Sequence, residues 1–295
     1  MKQELQKFVQ ENPKLVTMKE TSPGLFVLKY KRNVFYDNLW NDYLEECRGT
    51  IVDKDFNVIS RPFTKIYNYG VEDRSPKLAD DVRVSAFRKV NGFMCAVTWH
   101  QGDILVSTTG STANDFVNMA RELLDIEKCR AVCSKYKTYT FMFECVHRND
   151  PHIVPEVEGM YLLGHRANTW NSKVSSDPKS LDMFADLFGA RRVESFTLRM
   201  DDLLKLSKTV QHEGFVAYTP DGQSFKIKSP YYLVKKWMAR NPRTDKLLTK
   251  EFREQIAEEY YGLLDYIREE ITEYTLLSEQ DRLRFIEAFL TKINT

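Results

Sequence analysis

Between about residues 24 and 229 the chain is a succession of short β-like runs, and beyond Pro230 they stop. LFVLKY, RGTIVD, VRVSAF, FMCAVTW, ILVSTT, YTFMFECV, MYLLGH, GFVAYT and SFKIK are strand-length and rich in β-branched and aromatic residues. FVNMARELLDIEKCRAV and SLDMFADLF interrupt them with helical spacing. After the proline, YLVKKWMAR, LLTKEFREQIAEEYYGLLDYIREEI and SEQDRLRFIEAFLTKI have the apolar spacing of amphipathic helices. Ser278 and Asp281 form a capping pair at the start of the last. The pattern predicts an α+β fold: a domain over residues 1–229, then an all-helical C-terminal domain over residues 230–295.

Composition excludes several function classes. With a net charge of +1 in 295 residues, the chain is no polycation that coats nucleic acid, although a local basic groove remains open to it. No stretch approaches the roughly 18 apolar residues of a membrane span, and MKQELQKFVQEN is no signal peptide. Five cysteines point to reduced thiols and a cytoplasmic protein. None pairs with a second ligand group at zinc spacing.

Three stretches put charge where a strand wants none. In AFRKVNGFMCAV, Lys89 precedes Asn91-Gly92, a pair that predicts a tight hairpin between its flanking runs. Alone, that lysine reads as the guard of an exposed strand end. In TYTFMFECV one carboxylate, Glu144, sits inside an apolar strand and needs a cation, a metal or a donor unless the strand is an edge. In HEGFVAYTPDGQSFKIKS, Thr219-Pro220-Asp221-Gly222 predicts a second hairpin. Its return strand places Lys226 and Lys228 on one face, a seat for phosphate oxygens, with Glu213 opening the partner strand.

Lys89-x-x-Gly92, then Glu144, then Glu213-Gly214-Phe215-Val216, then Lys226-Ile227-Lys228 resembles, in order, the covalent nucleotidyltransferase superfamily of ATP-dependent ligases and capping enzymes. Glu46-Cys47-Arg48-Gly49, Ser60-Arg61-Pro62 and Lys65-Ile66-Tyr67-Asn68 narrow the resemblance to the phage-type RNA ligase 1 family. It runs from about residue 40 to 235. One departure is Thr109, which precedes Gly110-Ser111 where that family usually carries a lysine. The C-terminal region is also shorter than in the better-known members.

The resemblance implies a nucleotidyltransferase (ATP-grasp-like ligase) domain and an ATP-dependent RNA ligase. Lys89 would attack ATP to form a lysine-AMP intermediate, and AMP would pass to an RNA 5′-phosphate before a 3′-hydroxyl displaces it. Glu144 and Glu213 would hold Mg²⁺ or Mn²⁺, with ribose hydroxyls as the other role for Glu144. Lys226, Lys228 and the metal would keep Lys89 unprotonated and neutralise developing phosphate charge. Arg48 and Lys65 would hold phosphates, Tyr67 would lie near the nucleotide, and Gly92 would leave room for it. The implied partners are ATP, RNA with 5′-phosphate and 3′-hydroxyl ends, and an end-healing kinase-phosphatase in tRNA repair. The competing readings are a non-catalytic RNA-binding protein on a ligase scaffold, and a DNA ligase or capping enzyme. The helical tail argues against the last two, which normally carry a β-rich module there.

Overall fold

Each short strand leaves a row of backbone donors and acceptors that only a neighbouring strand can satisfy. In the computed structural model, which describes residues 2–240, 244–256 and 258–293, the runs pair into three sheets. The first is a meander of β1 (Val16–Ser22), β2 (Leu25–Tyr30), β3 (Arg48–Asp53) and β4 (Val58–Ser60). The remaining strands are β5 (Tyr67–Asn68), β6 (Arg83–Arg88), β7 (Phe93–His100), β8 (Asp103–Thr108), β9 (Tyr139–Val146), β10 (Gly159–Ala167), β11 (Arg191–Arg192), β12 (Ser195–Arg199), β13 (Gly214–Tyr218) and β14 (Ser224–Lys228). The second sheet has the order β11-β10-β9-β7-β8 and the third β12-β6-β13-β14-β5. Pairing is antiparallel except for β10 with β11 and β14 with β5.

The Asn-Gly hairpin does not form. β6 belongs to the third sheet and β7 to the second, so residues 89–92 carry the chain from one sheet to the other. Neither Asn91 nor Gly92 has the positive φ that a tight hairpin turn requires. Gly92 answers to a different constraint: a Cβ there would stand 2.3 Å from the carbonyl oxygen of Cys145. The backbone it must admit is that of β9, the strand carrying Glu144. We expect Gly92→Ala to push β7 off β9 and to destabilise the protein by about 1–3 kcal/mol. A urea midpoint equal to that of the unaltered protein would contradict this packing.

β9 is no edge strand. It lies between β10 and β7, with Tyr161 and Met94 as the neighbours of Glu144 in register. Phe141 and Phe143 on the same strand pack against Phe188 of the helix Pro178–Phe188, in the largest apolar cluster of this region. The Thr219–Gly222 hairpin forms between β13 and β14 as the sequence predicts. The helical run before β9 divides into Asp115–Leu123 and Ile126–Lys135, because the Asp125 side chain caps the second helix by accepting from Lys128 N–H.

After Ser229 the described residues are helical, including Pro230–Arg240, Tyr261–Glu269 and Glu279–Ile293. The middle helical run is broken into shorter pieces, one capped by Thr249. The Ser278–Asp281 capping pair is present. Met238, Leu263, Ile267, Tyr274 and Ile286 form the tail's core, into which Ile153 and Val154 of the loop before β10 insert. That loop ties the tail to the strand-rich region beside Lys89.

Candidate active site

Segments distant in sequence meet where β6 ends. Lys89 extends β6 by one residue, its N–H donating to the carbonyl of Gly214 at 2.9 Å. This sets its ammonium against Glu213, to which it donates at 2.8 Å. Asn91 Nδ2 donates to the same carboxylate oxygen at 2.8 Å, and Asn91 Oδ1 accepts from Val154 N–H at 3.0 Å. Lys228 stands 3.8 Å from the other oxygen of Glu213. Glu213 is 3% exposed, and a carboxylate so placed needs such a set of partners. Glu144 arrives from the second sheet and accepts from Gly92 N–H at 3.1 Å.

Burial disfavours the Lys89 ammonium, but Glu213 and Glu144 outweigh it and hold its pKa above the usual lysine value. Without a metal, Lys226 and Lys228 alone therefore do not keep Lys89 neutral, because the contacting carboxylate outweighs them. Glu144 is pushed up, by burial first and then by Glu213, against the opposing pull of Lys89. Lys226 falls to about 7, through burial first and then the charges of Lys65, Lys228 and Arg48. Lys228 is lowered as well, mainly by burial, with Glu213 opposing.

Arg48, Lys89, Glu144 and Lys226 line one cleft, and Phe63, Phe87, Met94, Leu163, Val193 and Val216 form its apolar walls. Such a combination suits a ligand with a flat apolar body and anionic groups. Lys65 and Tyr67 are not brought to this cleft. Lys65 is buried in an ion pair with Glu72 at 2.7 Å, over the rings of Trp40 and Tyr67. The Tyr67 hydroxyl donates to Glu45 at 2.8 Å, and both residues line an adjoining cavity. Gly92 is packed under β9 rather than holding space open for a ligand.

Three residues near the site escape the sequence reading. Asn91 is masked by its turn-like Asn-Gly context, and its amide holds Glu213. Arg88 lines the cleft and pairs with Glu156 at 2.8 Å; its position beside Lys89 is the only signal in the sequence. Tyr232, on the first helix of the tail, has Lys228 and Lys236 over its ring at 5.0 and 5.6 Å. No motif spacing marks it.

Among the described residues no three His, Cys, Asp or Glu side chains gather as a metal site, and the five cysteines are buried and free. Glu144 and Glu213 fit a hard divalent cation that takes its other oxygen ligands from phosphate and water. No helix among the described residues is long and apolar enough to cross a membrane.

No protein-family model matches the chain, and no curated protein does. Solved structures do. An archaeal ATP-dependent RNA ligase superposes over 97% of this chain and 75% of its own, with a TM-score of 0.59 and 17% identity. A putative ATP-dependent DNA ligase from Aquifex aeolicus superposes over 96% of this chain and 76% of its own, with a TM-score of 0.57 and 16% identity. The chain has the fold of ATP-dependent ligases. Within this ligase fold Lys89, Glu144 and Lys226 line one cleft, and Glu213 pairs beside it with both Lys89 and Lys228.

Proposed function

We propose that the protein is an ATP-dependent RNA ligase of the phage RNA ligase 1 type that joins 5′-phosphate and 3′-hydroxyl ends, in tRNA repair beside an end-healing enzyme. The observation that carries this reading is a lysine at the end of β6, held by a buried glutamate and facing a cationic, apolar-walled cleft. Residues 1–229 would form the adenylyltransferase domain and residues 230–295 the helical domain that packs on it.

In the first step the Lys89 amine attacks the α-phosphorus of ATP. A nitrogen–phosphorus bond forms, the bond to the bridging oxygen breaks, and pyrophosphate leaves with the electron pair. The amine must first lose its proton, and Glu213 is the group that holds that proton in place. A divalent cation bound at Glu213 would neutralise the carboxylate and remove what favours the ammonium. Lys226 and Arg48 would face the phosphates, where charge develops. Lys65 would act on the site through its charge on Lys226 rather than by contact.

Joining of a 5′-phosphate, 3′-hydroxyl RNA strand in the presence of ATP and Mg²⁺ tests the reading. Circular or lengthened RNA is the expected product, and joining of nicked duplex DNA instead would favour the DNA ligase reading. Lys226 adds a second test. Its pKa near 7 leaves it largely neutral at about pH 8, and bound phosphates raise that pKa, so nucleotide binding there takes up a proton. Titration with a non-cleavable ATP analogue in buffers of different ionisation enthalpy should give buffer-dependent heats at that pH. Heats independent of the buffer would contradict the contact.

A further inference from the structure

Residues 31–40, KRNVFYDNLW, lie between β2 and β3 and form the short helix Arg32–Tyr36 and the turn after it. The segment is anchored at two points. Val34 and Trp40 are buried in an apolar cluster, and Leu39 N–H donates to the carbonyl of Val34 at 3.0 Å. Around those anchors the chain turns apolar groups outward. Phe35 is 53% exposed, Tyr36 76% and Leu39 42%, a grouping that a folded surface rarely leaves in water unless something covers it. The two rings pack edge to face, their centroids 5.5 Å apart. Arg32 precedes them by three and four residues, so it shares their side of the helix. Lys31 and Arg32 are exposed, and neither forms an ion pair among the described residues. Asp37 is the one carboxylate between residues 29 and 40. On the inner side, Lys65 Nζ lies 5.8 Å from the centre of the Phe35 ring. Lys65 lines the adjoining cavity, whose wall residues Phe63 and Tyr218 also line the Lys89 cleft.

We infer that this surface, Phe35 and Tyr36 with Lys31 and Arg32 beside them, is a stacking platform for single-stranded RNA on the approach to the Lys89 cleft. The inference rests on the ligase reading for its choice of RNA. Every base has a π face, so exposed rings hold an unpaired strand whatever its sequence. Lys31 and Arg32 would meet the phosphates that link the stacked bases. These two unneutralised cations favour an anionic partner over a second copy of the chain, which would bring like charges together. Because Val34 and Trp40 already fix the segment, the rings are held in place before a strand arrives. A duplex keeps its bases stacked on one another and offers the rings no face, so the platform selects unpaired ends. None of these four residues lines the Lys89 cleft, and the platform has no part in adenylylation.

The test compares the unaltered protein, Phe35→Ala/Tyr36→Ala, Phe35→Trp/Tyr36→Trp and Lys31→Ala/Arg32→Ala. Each is measured for binding of a fluorescent single-stranded RNA without ATP, and for label taken from α-labelled ATP. Removing the rings should weaken strand binding about tenfold or more, the scale of one lost base stack, and leave adenylylation unchanged. The tryptophan pair should keep the affinity. Removing the two cations should lower the slope of log affinity against log salt by about 1.4, as expected for two phosphate contacts to a single strand; removing the rings should not change that slope. Equal strand affinity in Phe35→Ala/Tyr36→Ala would overturn the platform while leaving the ligase reading intact. So would an equal loss of binding and adenylylation, or a dimer of the unaltered protein that this variant dissociates while strand affinity holds. An unaltered protein that takes no label would overturn the ligase reading by itself, and strand affinity without the rings would still decide the platform.

Discussion

Lys89→Ala should form no protein-bound AMP from ATP, yet should still seal RNA that already carries an adenylylated 5′ end. In the proposed mechanism the Lys89 nitrogen is the attacking atom only in the first step. Its removal therefore costs all of that step, a loss larger than any contact to a phosphate would give. In the last step the 3′-hydroxyl attacks, AMP leaves, and no lysine nucleophile is needed. Lys228 differs: it ion-pairs with Glu213 and in the proposed mechanism would stay beside the reacting centre throughout, so Lys228→Ala should be impaired on both substrates. Sealing of ordinary 5′-phosphate RNA by Lys89→Ala with ATP would refute the nucleophile assignment.

Glu213→Gln should give the second largest effect, and pH separates its two roles. The substitution removes the charge that holds Lys89 and Lys228 in place. Breaking a buried pair this way costs about 3–5 kcal/mol, less where, as here, the lysines are partly exposed. Adenylylation should fall further than stability does, because the same carboxylate is the proposed metal ligand. The pKa of Lys89 is raised in the folded protein. The stabilisation from its pairing is therefore complete below the ordinary lysine pKa and is lost as pH rises through the folded value. The gap in thermal midpoint between the unaltered protein and Glu213→Gln should be widest near neutrality and narrow in alkali. A constant gap across that range would show that Glu213 does not stabilise the fold through the Lys89 ammonium.

The sequence is most legible where one local pattern has one structural solution. The Thr219–Gly222 turn has few alternatives, and it forms the β13–β14 hairpin that carries Lys226 and Lys228. Glu144 within TYTFMFECV demanded a partner, and it sits in a central strand against Gly92 N–H and near Lys89. Asn91-Gly92 failed because its local signal competed with tertiary demands. Asn91 serves Glu213 and Val154, and Gly92 serves the backbone of β9. β1 was not legible, since VTMKETS is polar and buries little more than Val16. Lys65 and Tyr67 matched a motif by spacing, but spacing says nothing about which cavity a side chain enters. Glu72 and Glu45 draw them to the adjoining one.

The central claim is that Lys89 becomes covalently adenylylated. Incubating the purified protein with α-labelled ATP and Mg²⁺, then digesting and locating the label, tests it most directly. The account predicts one label per chain, stable to alkali, labile to acidic hydroxylamine as a phosphoramidate is, and carried by the peptide containing Lys89. Label on another residue, or none at saturating ATP and metal, would contradict it.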